Sequence, residues 1–211
     1  MSEPATTDIE PAVRRYHHGD LKAALLAEAE TILERDGVQA LTLRATARAA
    51  GVSHAAPNNH FGDLTGLLSE LAAVGFNRFN AALAAAMDTA GDDPLTRAKA
   101  MGVAYVGFAR THPGLFILMF RGERLDTKRA ALRDALDASQ RALRSMGAAL
   151  SDKTRPPLRM AAEAAARWSL VHGFAMLLLD GRLEGMIASL PGGEDAADLL
   201  NAMLTATRIG D

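Results

Sequence analysis

Apolar residues recur at helical spacing through most of this 211-residue chain, and no stretch alternates apolar and polar residues for long. A helix buries residues three or four positions apart, whereas a half-buried strand buries every second residue. Glycine or proline interrupts the pattern at Gly37, Gly51, Gly62, "AGDDP" (90–94) and Pro113. Both residue types commonly mark the ends of helices. The sequence therefore predicts an all-α fold.

Four helices are predicted before residue 90. Each is preceded by a side chain whose oxygen can accept the backbone N–H groups left unpaired in a first helical turn: Asp20, Thr42, Ser53 and Asp63. The second and third helices, 42–50 and 53–61, are short and joined by a glycine-containing turn. That arrangement is the geometry of a helix-turn-helix.

The remaining sequence predicts a larger helical body. Helices are expected over about 94–111, 114–120, 126–150, 156–180 and 194–207. We therefore divide the chain into a flexible tail (1–15), a helix-turn-helix module (16–65) and a helical body (66–211).

Composition narrows the function classes. The chain has no cysteine, which excludes disulfides, thiolate zinc sites and a cysteine nucleophile. Its net charge of −2 gives no overall attraction to nucleic acid or to an anionic membrane. The apolar runs are too short to span a bilayer and no targeting segment is visible, so we expect a cytoplasmic protein with no membrane partner.

The third predicted helix has an unusual composition for its setting. Asn58 and Asn59 follow Pro57, and all three residue types disfavour a helix interior. Pro57 and Phe61 share one face, which leaves a small polar face opposite. Asparagine offers a donor and an acceptor that match the major-groove edge of adenine. The alternative is that the pair merely frays the helix before Gly62.

Local charge supports the first interpretation. Residues 1–67 carry six basic and nine acidic side chains, yet residues 37–62 hold Arg44, Arg48, His54 and His60 and no acid. A surface that meets phosphate needs that absence of acids as much as it needs cations.

Aromatic and methionine residues recur at helical spacing in the body, where two interpretations stay open. They form either plain core or the soft lining of a ligand site, with His172 as a polar member. The candidates are Met101, Tyr105, Phe108, Phe116, Met119, Phe120, Trp168, His172 and Met176.

No catalytic or metal-binding arrangement stands out. The adjacent histidines of "YHHGD" (16–20) do not share a helix face, so a helix entry is favoured over a metal site. No serine–histidine–aspartate arrangement, glycine-rich phosphate loop or spaced carboxylate pair stands out in the sequence. We expect no enzyme activity, no metal and no cofactor.

Several segments resemble a known family. "YHHGDLKAALLAEAETILERDG" (16–37), "LTLRATARAAGVS" (41–53) and "HF" (60–61) are similar to the DNA-binding domain of the TetR family of bacterial repressors. "FARTHPGLFILMF" (108–120) and "WSLVHGFAMLLLDG" (168–181) resemble the ligand-binding domain of the subgroup with a W…HG motif.

The resemblance implies a dimeric repressor that a small apolar or amphipathic effector releases from operator DNA. It implies phosphate contacts from the matching positions Thr42, Ser53 and His60. It also implies dimerisation through 156–180 and 194–207. Apolar residues available for that dimer include Leu199, Leu200, Met203 and Leu204. The resemblance and the acid-free segment 37–62 together give a set of expected DNA contacts. They are Thr42, Arg44, Ser53, His54, Ala55, Asn58, Asn59 and His60.

Two residues depart from the family pattern. Asn58 stands where the family usually has tyrosine, and Leu64 where it usually has lysine, and both usual residues touch DNA phosphates. The departures keep an alternative open, in which a TetR-like ligand sensor binds DNA weakly and acts through a protein partner.

Overall fold

The computed structural model describes residues 18–121, 125–150, 154 and 156–206. These residues form helices and no strand, which confirms the all-α prediction. In chain order the helices are α1 (His18–Asp36), α2 (Leu43–Ala49), α3 (Ala56–Phe61), α4 (Leu64–Thr89), α5 (Pro94–Thr111), α6 (Pro113–Arg121), α7 (Ala130–Leu150), α8 (Pro157–Leu179), α9 (Glu184–Ala188) and α10 (Ala196–Ala206).

Two of the predicted caps are confirmed. The Thr42 hydroxyl accepts the Ala45 amide at 3.0 Å and opens α2. The Asp63 carboxylate accepts the Gly66 amide at 2.7 Å and opens α4. Both side chains satisfy donors that have no partner inside the first turn.

The other two predicted starts are wrong. α3 begins at Ala56, and Ser53 contributes its backbone carbonyl, which accepts the Ala56 amide at 3.0 Å. Pro57 explains the later start, since proline lacks an N–H and fits the first helical turn. α1 begins at His18, which places Asp20 inside the helix.

α4 is the central helix of the molecule and packs against α5, α6 and α7. One continuous core runs from Leu25 in α1 to Leu200 in α10. The expected boundary between residues 65 and 66 falls in the first turn of α4. Gly75 lets α6 lie close, because a Cβ there would be 2.6 Å from the Met119 sulfur.

Polar contacts join α1 to the rest of the chain. The Glu34 carboxylate accepts the backbone amides of Gly114 at 2.8 Å and Leu115 at 2.9 Å. It therefore caps α6 from 80 residues away, where Pro113 starts that helix. Lys22 also pairs with Glu70 at 2.9 Å.

No described helix is by itself long and apolar enough to cross a bilayer. α5 and α6 meet that requirement only as a pair, and they are bent by 109° at their junction.

Candidate functional site

α2 and α3 form the predicted helix-turn-helix. Gly51 lies between them with φ +66°, a left-handed backbone conformation that glycine adopts without strain. Its amide donates to the Arg48 carbonyl at 3.2 Å, and the Val52 amide donates to Ala47 at 3.0 Å. Val52 packs against the core, as its position in the turn predicts.

α3 separates a buried face from an exposed one. Pro57 and Phe61 are almost fully buried, whereas Asn58 and Asn59 are exposed. The helix does not fray at the pair, since the Asn59 amide donates to Ala55 at 3.1 Å and the Gly62 amide donates to Asn58 at 2.8 Å. The two amide side chains therefore lie on an ordered helix and point away from the core.

The predicted DNA-contact residues lie on the exposed part of this region. The His60 side chain is half-buried, and its ring centroid lies 6.2 Å from that of Phe61. The others are exposed: Thr42, Arg44, Ser53, His54, Ala55, Asn58 and Asn59. The structure thus places this set on an accessible surface of the helix-turn-helix.

Several acids of the module are engaged away from that surface. Glu30 pairs with Arg78 of α4 at 2.5 Å, and Glu34 caps α6. Asp63 caps α4. The negative net charge of the module therefore arises partly from groups that hold it to the body, while 37–62 keeps its acid-free sequence.

A cluster of aromatic rings lies where α4, α5, α6 and α8 meet. Phe79 of α4 makes edge-to-face contacts with Tyr105 at 4.9 Å, Phe108 at 5.3 Å and Phe120 at 6.0 Å between ring centroids. The Phe116 ring packs against Phe120 at 4.8 Å. Sequence reasoning missed Phe79, although its spacing from Phe76 and Leu83 is that of one helix face.

Trp168, Tyr105 and His172 form a hydrogen-bonded network on one side of the cluster. Trp168 Nε1 donates to the Tyr105 hydroxyl at 3.3 Å, and that hydroxyl lies 2.9 Å from His172 Nδ1. When Tyr105 donates to Nδ1, the Trp168 indole and the Tyr105 hydroxyl each have an acceptor. That arrangement places the neutral imidazole hydrogen on Nε2.

Burial also favours the neutral form of the phenol. It raises the pKa of Tyr105 well above its ordinary value, and the hydrogen bond from Trp168 opposes the shift more weakly. The hydroxyl therefore keeps its proton and remains a donor to the imidazole. A neutral phenol among aromatic rings offers hydrogen bonding without a charge.

The predicted pocket residues differ in accessibility. Tyr105, Phe108, Phe116 and Met119 are buried, and Phe108 reaches the cluster through Phe79. Trp168 is 43% exposed. The half-buried members are Met101, Phe120, His172 and Met176.

The apolar residues of α10 face their own chain. Leu200 is 2% exposed, so the expectation that it helps form a dimer face is wrong. Leu199, Met203 and Leu204 are partly buried against the same core. The large exposed apolar side chains of α8 and α9 are Leu158, Trp168, Leu177 and Met186.

Comparisons with known proteins agree with this architecture. A family model described as the tetracyclin repressor-like C-terminal domain matches residues 98–207. A Rhodococcus sp. RHA1 protein of unknown function is 35% identical, with 92% of this chain and 96% of that chain covered and a TM-score of 0.74. No curated protein matches the chain.

Two further solved structures share the fold at lower identity. PfmR, a TetR family transcriptional regulator from Thermus thermophilus, is 19% identical over 86% of this chain and 94% of its own, with a TM-score of 0.61. LfrR, a TetR-like regulator from Mycobacterium smegmatis solved in complex with proflavine, is 21% identical over 88% and 95%, with a TM-score of 0.57.

Proposed function

Because the chain belongs to the TetR family of transcriptional regulators, we propose that it is a dimeric repressor released from its operator by a small apolar or amphipathic effector. The observation that carries the proposal is the ordered, exposed Asn58–Asn59 pair on α3, within a segment that contains no acid. An operator-binding regulator acts at the chromosome, so the proposal places the protein in the cytoplasm.

α3 is the proposed recognition helix. Its exposed asparagines offer the donor and acceptor pair that suits an adenine edge in the major groove. Arg44 and Thr42, exposed on and before α2, are proposed to contact phosphates together with Ser53 and His60. His54 and Ala55 lie next to α3 and complete the proposed contact surface.

The aromatic cluster is the proposed effector site. Tyr105 and His172 supply polar groups at the edge of an apolar ring cluster, and Trp168 gives that edge access to solvent. LfrR holds the small molecule proflavine in the same fold. We infer that an effector enters beside Trp168 and displaces side chains such as Phe120 and Met176, which are only partly buried.

A second copy of the chain is the proposed partner that covers the exposed apolar side chains of α8. Leu158 and Leu177 lie on that helix, and Met186 follows on α9. A dimer with two-fold symmetry would also present two helix-turn-helix modules. Such a pair can bind two operator half-sites that are separated by whole turns of DNA. Sedimentation of the purified protein should give a dimer, and substitution of Leu177 by lysine should favour the monomer.

The decisive experiment is titration of the protein with the DNA that flanks its own gene. Asn59→Ala should reduce the preference for one base pair by about 1–3 kcal/mol. Arg44→Ala should instead weaken binding to all sequences by a similar factor. Unchanged affinity and base preference for Asn59→Ala on a confirmed operator would contradict the recognition role.

The effector switch is tested by linkage. Trp168 is the single tryptophan, so its fluorescence can report ligand binding. A coupling of about 1–3 kcal/mol would change operator affinity by roughly 5–150-fold, and operator DNA must then weaken the ligand by the same factor. Equal ligand affinity with and without saturating operator would rule the switch out.

A further inference from the structure

A side chain from the body holds the C-terminal end of α3. Arg129, which lies just before α7, donates from Nη2 to the Phe61 carbonyl at 2.7 Å, across 68 residues of sequence. The last carbonyls of a helix have no partner within the helix. A cation at this end also interacts favourably with the helix dipole.

The guanidinium lies in a site built by α4. Arg129 is 4.0 Å from the Glu70 carboxylate and 4.0 Å from that of Asp126. The Asp126 backbone amide donates to the Ser69 hydroxyl at 2.8 Å, which fixes the approach to α7 against α4. The hydrogen bond between Asp126 and Ser69 therefore anchors the segment from which Arg129 reaches α3.

Gly66 leaves the space that the contact needs. A Cβ built on Gly66 would overlap both the Phe61 carbonyl oxygen and Arg129 Nη2. Glycine is a weaker helix former than alanine, because it loses more backbone freedom on folding. Here it allows the guanidinium to pass the first turn of α4 and reach the end of α3.

α3 depends on such outside contacts for its position. It has six residues and is preceded by Ala55, which carries no side-chain oxygen that could cap its first turn. Helices this short are not stable by themselves in water. Their placement is therefore set by the residues that pack against them and by the hydrogen bonds at their ends.

We propose that Arg129 is a positioning residue for operator recognition, in that it sets the placement of α3 from the body without itself contacting DNA. The proposal rests on the function proposed above. Loss of the guanidinium therefore moves the asparagines relative to the groove and weakens operator binding, while the number of phosphate contacts stays the same.

The test compares Arg129→Gln with Arg133→Gln. Arg133 lies one helical turn further along α7 and pairs with its neighbour Asp134 at the surface. Both variants remove one positive charge, so the control accounts for long-range electrostatics. Amide hydrogen exchange of Asn59 and Gly62 in the DNA-free protein is measured first, followed by binding to the operator and to unrelated duplex.

Arg129→Gln should speed exchange at these two amides and weaken operator binding, each by about tenfold, as expected for a hydrogen bond to a charged group. Binding to unrelated duplex and the salt dependence should stay as in the wild type, since no phosphate contact is lost. Arg133→Gln should change neither quantity. Arg129→Lys keeps the cation and should restore part of the protection.

Wild-type exchange at Asn59 and Gly62 in Arg129→Gln would overturn the proposal. A salt slope reduced by about one phosphate would overturn it too, because Arg129 would then be a direct DNA contact. If the wild-type protein prefers no operator, the proposed function fails, and exchange of the same amides still decides whether Arg129 positions α3.

Discussion

The helix-turn-helix and the aromatic cluster carry their candidate functional groups in opposite ways. α3 exposes Asn58 and Asn59 and rests on Pro57 and Phe61, which are buried beneath it. The aromatic cluster instead directs Tyr105 and its neighbours towards one another, inside the helical body.

This difference governs what each region tolerates. A side chain that faces outward can change partners without altering the core, because surface substitutions usually cost little stability. A side chain in the cluster serves the fold and the proposed ligand together. We therefore expect substitutions in the cluster to change the free energy of unfolding more than operator binding. Substitutions on the exposed face of α3 should do the reverse.

Phe79→Ala should give the largest effect and would sharpen this contrast. Phe79 is 4% exposed and contacts three aromatic rings, so its loss should lower the free energy of unfolding by about 3–5 kcal/mol. Chemical denaturation measures the change, and Phe79→Leu should cost less because it keeps most of the volume. A loss below about 1 kcal/mol for Phe79→Ala would mean that the cluster is loosely packed around a pocket.

Gly66→Ala should have an intermediate effect, on both stability and operator binding. The added methyl group would overlap the Phe61 carbonyl and Arg129. The shifts needed to accommodate such a group lower stability by about 1–3 kcal/mol. Operator binding should weaken as well, since the end of α3 must shift.

Gly107→Ala provides the matched control for this substitution. Gly107 lies within α5, and a Cβ built there has no heavy atom of the described residues within 4 Å, apart from those of its chain neighbours and of the backbone of its own helix. Alanine at that position should raise stability by about 0.5–1 kcal/mol through helix propensity. If Gly66→Ala and Gly107→Ala had equal effects on thermal unfolding, the packing of α3 against α4 would not require glycine at position 66.

Tyr105→Phe should give the smallest loss of stability among the destabilising substitutions. It removes the acceptor of Trp168 Nε1 and the proposed donor to His172 while keeping the ring contacts. We expect a loss of about 1 kcal/mol in unfolding free energy and a shift in tryptophan emission. A loss above about 3 kcal/mol would contradict the view that ring packing, and not the network, stabilises this region.

Most of the fold could be predicted because the signals are local. Caps at Thr42 and Asp63, the turn at Gly51 and the breaks at proline all act within one helical turn of where they occur. The prediction at Ser53 is wrong for an equally local reason. Two start signals compete there, and Pro57 determines where α3 begins.

The candidate site was predictable only in part, for the opposite reason. The outward face of α3 follows from helical periodicity, so the exposure of the asparagines could be predicted from the sequence. Phe79, Arg129 and Glu34 act on partners that are 26, 68 and 80 residues away. Such pairings depend on how the helices pack against one another, so they cannot be predicted from the spacing of residues within one helix.

The carboxylate of Glu34 limits how freely the DNA-binding part could be exchanged between relatives. It caps two backbone amides of α6, so the body needs this acid from α1 to complete one of its own helices. A hybrid regulator that received a module without an acid at this position would leave both amides without their cap. The helical body would then lose stability although every exchanged residue lies outside it. An acid at position 34 is therefore a condition for exchanging DNA-binding modules between relatives.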